Sequence, residues 1–145
     1  MTAQPPPATV LAFDFGTRRI GVAVGNTILR AAQPLTTIVA ERDADRFAAI
    51  AALLAQWQPQ LLVVGIPVHA DGAAHAMTAR AQKFARQLAG RFGLPVEHAD
   101  ERHTTELAQS ALDAVGAGRG RREFRDAVAA QLILQGWFDE RRADS

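Results

Sequence analysis

At 145 residues, with 48% hydrophobic and 21% charged side chains, the chain has the makeup of one globular domain able to bury a core, and not of a disordered or fibrous protein. It contains no cysteine, which excludes disulfides, thiolate metal sites and a cysteine nucleophile. Its net charge of +1 makes no case by itself for a polyanionic partner, and no apolar run approaches the roughly 18 residues that span a bilayer.

Residues 1–8, with the run Pro5-Pro6-Pro7, read as a disordered leader that lacks the basic and apolar regions of a signal peptide. A cytoplasmic protein without membrane association is expected. From Thr9 the pattern becomes β: a strand over 9–15, a tight turn at Gly16-Thr17, and a second strand through Ile20-Gly21-Val22-Ala23-Val24-Gly25. Two such runs joined by a short turn predict an antiparallel hairpin. A third strand is expected over 35–39. Phe47, Ile50, Leu54 and Trp57 then recur at helical spacing over 43–57, and Pro59 marks the exit.

The continuous apolar run Leu61-Leu62-Val63-Val64-Gly65-Ile66 predicts a strand covered on both faces. A helix over about 74–91 carries Met77, Ala81, Phe84, Ala85 and Leu88 on one stripe. A fifth strand over 95–99 follows, then a helix from Thr104 or Thr105 to about Val115. Gly116 to Gly120 reads as a flexible loop, and the last helix spans about 123–141, ahead of a flexible tail at 142–145. The order β-β-β-α-β-α-β-α-α within a single domain, 9–141, predicts an α/β ribonuclease-H-like fold: a five-stranded mixed sheet flanked by helices, with the first strand central.

Three carboxylates stand out against this frame. Asp14 interrupts the apolar run from Val10 to Phe15, Glu101 follows the fifth strand, and Asp126 opens an apolar helix face continued by Ala130, Ile133, Leu134 and Trp137. Burying unpaired carboxylates side by side costs several kcal/mol each, through desolvation and mutual repulsion. Hard divalent cations remove that penalty and prefer oxygen ligands. Open α/β sheets place their sites at carboxyl strand ends, where these three remote residues can meet. Each also has a plainer reading: Asp14 as a turn residue, Glu101 and Asp126 as carboxylates favoured by a helix N-terminus.

Fifteen of the sixteen basic residues are arginine, and the densest group, Arg119, Arg121, Arg122 and Arg125, lies just before Asp126. Arginine grips phosphate bidentately, so the group suits a nucleic-acid backbone. Thr17, Arg18 and Arg19 in the first turn, and Arg102 beside Glu101, are further candidates for substrate contact. His103 is a candidate proton shuttle. His69, Asp71 and His75 read as a polar loop in preference to a second metal site, and the Trp57 and Trp137 stripes read as core. Asp14-Phe15-Gly16 is Asp-Phe-Gly, the kinase magnesium triplet, in a chain without the rest of that signature.

Four motifs in order carry a resemblance that covers about 130 residues. They are Phe13-Asp14-Phe15-Gly16-Thr17-Arg18-Arg19-Ile20-Gly21-Val22-Ala23; Val64-Gly65-Ile66-Pro67 with Asp71-Gly72; Asp100-Glu101-Arg102-His103-Thr104-Thr105; and Asp126 through Gln135. In these the chain resembles the YqgF (RuvX) family of pre-16S rRNA nucleases and Holliday-junction-resolvase-like proteins. The resemblance puts the family's metal-binding catalytic carboxylates on Asp14, Glu101 and Asp126. It implies processing of the 5′ end of precursor 16S rRNA in ribosome biogenesis. The chain departs from the family pattern at Gly25-Asn26, where Ser-Asp is usual, and at Val68-His69-Ala70, where asparagine is usual. Arginines also replace the usual lysines before Asp126.

These readings converge on a divalent-metal-dependent nuclease. Asp14, Glu101 and Asp126 are expected to hold two Mg2+ or Mn2+ ions, one activating water and the other stabilising the leaving oxygen. The expected partner is nucleic acid, either precursor 16S rRNA or the assembling small ribosomal subunit, bound by a monomer or homodimer. One alternative is a Holliday-junction resolvase acting on branched DNA. Another is a non-catalytic RNA-binding or transcription-associated module. The Asp-Phe-Gly-Thr turn also resembles a phosphate loop of actin-like ATPases, which require a second lobe.

Overall fold

A computed structural model describes residues 8–67, 75–100 and 119–143. Its elements are β1 (Thr9–Phe15), β2 (Arg19–Asn26), β3 (Ala32–Val39), α1 (Asp43–Trp57), β4 (Leu61–Ile66), α2 (His75–Phe92), β5 (Val96–Asp100) and α3 (Arg119–Ala143). The strands form one sheet in the order β3-β2-β1-β4-β5, so β1 is central, as expected from the sequence. β2 runs antiparallel to both β1 and β3, while β4 pairs parallel to β1 and β5 parallel to β4. This mixed sheet with helices on both faces is the ribonuclease-H-like architecture.

Strand alternation assigns the two faces. Leu11, Phe13, Ile20, Val22, Leu62 and Val64 pack against Phe47 and Ile50 of α1 and Phe84, Ala85 and Leu88 of α2. The residues between them, Val10, Ala12, Ala23, Val63 and Ala99, pack against Ala130, Ile133, Leu134, Trp137 and Phe138 of α3. Small side chains dominate the sheet's α3 face, which lets one long helix lie close across the strands. Among the described residues no helix is long and apolar enough to cross a membrane.

Several boundaries differ from the sequence expectation. β3 begins at Ala32, three residues early, and runs through Pro34. Proline lacks the N–H that a central strand needs, but β3 is an edge strand and Pro34 adjoins a bulge where Leu35 is the extra residue. α3 begins at Arg119 and so absorbs the Arg119-Gly120 part of the expected loop. Arginine is a good helix former, and the Thr37 hydroxyl donates to the Glu123 carbonyl, tying these first turns to β3. α3 also reaches Ala143, past the expected start of a flexible tail. At the other end Ala8, expected in the leader, is held by Thr27 through its N–H and its carbonyl. The helix expected over 104–115 lies outside the described residues.

Candidate active site

The site begins with register. Asp14 follows Val10 and Ala12 in strand parity, which directs it to the α3 face. In the ladder Asp14 pairs with Gly21 of β2, and Gly21 pairs with Thr37 of β3. The bulge in β3 is what makes the last step work. Ala32 and Pro34 share the α3 face before it, and Thr37 shares that face after it.

α3 lies directly over this row. A Cβ on Gly21 would stand 1.9 Å from the Asp126 carbonyl oxygen, so only glycine admits the helix this closely. Thr37 anchors the helix one turn earlier, through the Glu123 carbonyl. Asp14 from the central strand and Asp126 from the last helix therefore line one cleft of about 310 Å³, together with Gly16, Thr17, Arg18, Arg19 and Met77. These residues are 112 positions apart in sequence, and the bare Gly21 lets the helix that carries Asp126 lie against the strand that pairs with Asp14.

Charge in the cleft is balanced by an arginine. Arg19 donates through Nε to Asp126 Oδ2 at 2.6 Å, with the Arg19 side chain 41% and the Asp126 side chain 25% exposed. Arg18 stands at the rim, its Nε 3.5 Å from Glu41 in a pair exposed to solvent. The two arginines of the first turn thus divide: Arg19 turns inward to the carboxylate and Arg18 outward. Asp14 and Asp126 are half-buried, not fully buried as the sequence suggested. Both open on the cleft, so water or a cation can reach them and the desolvation cost is smaller.

β5 ends at Asp100, beside Ile66 of β4, so the carboxyl ends of β1, β4 and β5 share one edge of the sheet. Glu101, Arg102 and His103 follow β5 and lie outside the described residues, as do His69 and Asp71. His75 opens α2. Arg119, Arg121, Arg122 and Arg125 occupy the first two turns of α3, and no acidic residue sits in its first turn. Among the described residues no group of three or more His, Asp or Glu is close enough to hold a metal ion. Trp137 is buried and Trp57 packs against the core, as their stripes indicated.

Two residues went unread in the sequence. Gly21 carried a usable signal, since glycine inside a strand marks a bulge or a close backbone approach. Phe124 lies three residues before buried Ala127 on the same helix, so periodicity assigns it to the core, yet it is 53% exposed.

The fold defines a ribonuclease-H-like domain, and solved structures share it. RuvC of Thermus thermophilus in complex with a Holliday junction substrate matches with a TM-score of 0.58 over 94% of this chain and 96% of that one, at 15% identity. A second structure of Thermus thermophilus RuvC matches with a TM-score of 0.56, over 93% and 96%, at 16% identity. Likeness at that identity establishes the fold alone. A family model, RuvX, described as Holliday junction resolvase, matches residues 8–140. A protein of Dechloromonas aromatica named "Putative pre-16S rRNA nuclease" is 58% identical over 132 residues, 90% of each chain. A protein of the same name from Nitrosomonas eutropha is 56% identical over 138 residues, 94% of this chain and 88% of that one. The chain belongs to the RuvX family, and at that level of description it is a nuclease.

Proposed function

We propose that this protein hydrolyses phosphodiester bonds with the help of divalent cations, and that its substrate is the 5′ end of precursor 16S rRNA in the assembling small ribosomal subunit. The observation that carries the reading is the meeting of Asp14 and Asp126 in one cleft over Gly21. The names of the relatives from Dechloromonas and Nitrosomonas support the RNA substrate.

The donor set fits a hard cation: two half-buried carboxylates in a solvent-open cleft, one of them already neutralised by a cationic side chain. We assign Asp14, Asp126 and Glu101 as the residues that hold Mg2+ or Mn2+. Such ions, when bound, neutralise charge on the phosphate and lower the pKa of water enough for attack at neutral pH. The remaining tasks fall to the chain itself. Thr17 and Arg18, which line the cleft, contact phosphate, and we assign the same task to Arg102, the residue after Glu101 in the sequence. Arg119, Arg121, Arg122 and Arg125, at the positive end of α3, hold the strand and steer it to the carboxylates. A cytoplasmic location, with the protein as monomer or homodimer, accords with this substrate.

Arg19 has two tasks. It balances Asp126 before a cation arrives, and it contacts phosphate afterwards. Because the guanidinium and the cation compete for one carboxylate, Arg19→Gln is expected to tighten Mn2+ binding several-fold, measured by calorimetry or by a larger Mn2+-induced rise in melting temperature. Unchanged or weaker Mn2+ binding would show that Arg19 and the cation do not share Asp126.

The arginine group makes a separate prediction. Arg121→Ala and Arg122→Ala are each expected to weaken RNA binding and to lower the slope of log K against log salt by about 1. Slopes unchanged in both variants would remove these residues from the backbone contact.

The reading as a whole is tested by incubating the protein with 5′-extended precursor 16S RNA and with a four-way DNA junction, in Mg2+, Mn2+ or EDTA. Metal-dependent cleavage of the RNA is expected. Cleavage of the junction alone would transfer the activity to branched DNA, the reaction in the family model's description. Binding of either without cleavage would make the protein a non-catalytic module.

A further inference from the structure

Among the described residues one aromatic ring is exposed, and it lies within one helical turn of Asp126. Phe124 is 53% exposed, whereas every other described phenylalanine and tryptophan is buried or half-buried. The stripe of α3 that looks toward the outer strand β3 runs Phe124, Gln131, Gln135. The two glutamines are engaged with backbone. Gln131 donates to the Ala32 carbonyl, and Gln135 accepts from the Ala32 N–H and donates to the Arg30 carbonyl, each at 3.0 Å. At Phe124 that lacing stops and a groove of about 260 Å³ opens instead, lined by Pro34 to Thr37 of β3 and by Glu123, Phe124 and Ala127 of α3.

The groove and the cleft flank the start of α3. Thr37 and Asp14 stand at the two ends of one cross-strand row that the helix covers at Gly21, so the cleft opens on the β1 side of the helix and the groove on its β3 side. The charge around it selects the occupant. The first eight residues of α3 carry Arg119, Arg121, Arg122 and Arg125 against Glu123 and Asp126, a net charge of +2. An exposed ring on a net basic helix start disfavours a basic or purely apolar partner and suits a single-stranded nucleic acid, whose bases stack on the ring while the basic turns attract its phosphates. A duplex keeps its base faces stacked and has none to offer.

We propose that Phe124, with the groove beside β3, is a nucleobase-stacking subsite that takes an unpaired nucleotide of the strand bound at the start of α3. That the bound strand is also a substrate rests on the nuclease reading of the cleft, whereas the stacking itself does not depend on cleavage.

The test is a fluorescence-anisotropy titration of the full chain with a short, labelled single-stranded RNA in EDTA, using the wild type, Phe124→Ala and Phe124→Trp. Phe124→Ala is expected to fold normally, since the ring is exposed, and to bind about tenfold more weakly with an unchanged salt slope, because stacking releases no counterions. Phe124→Trp is expected to keep the affinity and to add indole fluorescence that RNA quenches beyond the wild-type background. Unchanged affinity in Phe124→Ala, or no added quenching in Phe124→Trp, overturns the subsite. So does a drop in solution mass in Phe124→Ala with affinity intact, which would assign the groove to a second copy of the chain. Stacking signals that persist in a protein that cleaves nothing would overturn the nuclease reading alone.

Discussion

Asp14→Asn is expected to fold as the native chain does and to cleave precursor RNA at least about a thousandfold more slowly. The side chain keeps its shape and loses its charge at the end of the central strand, where the cleft gathers a second carboxylate from α3. Losing an anionic ligand there forfeits about 4 kcal/mol of transition-state stabilisation, equivalent to three powers of ten in rate. Stability should change little, because asparagine keeps the shape and an accepting oxygen of the side chain at a half-buried position open to the cleft. Two measurements check this: single-turnover cleavage in Mn2+, and thermal melting with and without Mn2+. The variant should lose both the cleavage and the Mn2+-induced rise in melting temperature. Cleavage within tenfold of wild type would remove Asp14 from the reaction.

Gly21→Ala is expected to damage stability and activity together, although residue 21 has no functional group. The new methyl would lie 1.9 Å from the Asp126 carbonyl oxygen, 2.4 Å from its carbon and 3.2 Å from the Ala127 nitrogen. These are backbone atoms that no rotamer change can move aside, so α3 must retreat by about 1 Å. Overpacking of this kind costs about 3 kcal/mol. The retreat takes Asp126 away from Asp14, and a 1 Å misplacement costs about a hundredfold in rate. Denaturant unfolding and cleavage per folded molecule measure the two effects. Gly136→Ala is the control: nothing lies within 4 Å of a methyl there, and alanine inside a helix should stabilise by about 0.5–1 kcal/mol. If Gly21→Ala matched that control in stability and cleavage, α3 would not approach β2 as described.

Much of this site was legible along the chain because it rests on local patterns. Asp14 is conspicuous as a charge inside an apolar strand, and Asp126 as a charge at the head of an apolar helix face. The order of strands and helices led to a sheet with β1 at its centre, which the structure has. Boundaries were less legible where a residue's usual preference met an unusual place. Pro34 reads as a strand breaker and is tolerated on an edge strand beside a bulge. Gly116 to Gly120 reads as loop, yet α3 opens at Arg119 where Thr37 fastens its first turns.

The sequence by itself determined the identity of the described elements, the two faces of the strands, and the carboxylates worth watching, because periodicity and charge placement are one-dimensional properties. Only the tertiary structure decided how close those residues come and what else faces them. The approach of Asp126 to Asp14 depends on a cross-strand register and on the missing side chain of Gly21. The division of Arg19 and Arg18 between the cleft and the solvent depends on which way a short turn aims each side chain. The exposure of Phe124 depends on the sheet ending at β3, with no further described strand to cover a ring that helical spacing alone assigns to the core. Such contacts join residues a hundred positions apart, and no window along the chain contains both partners.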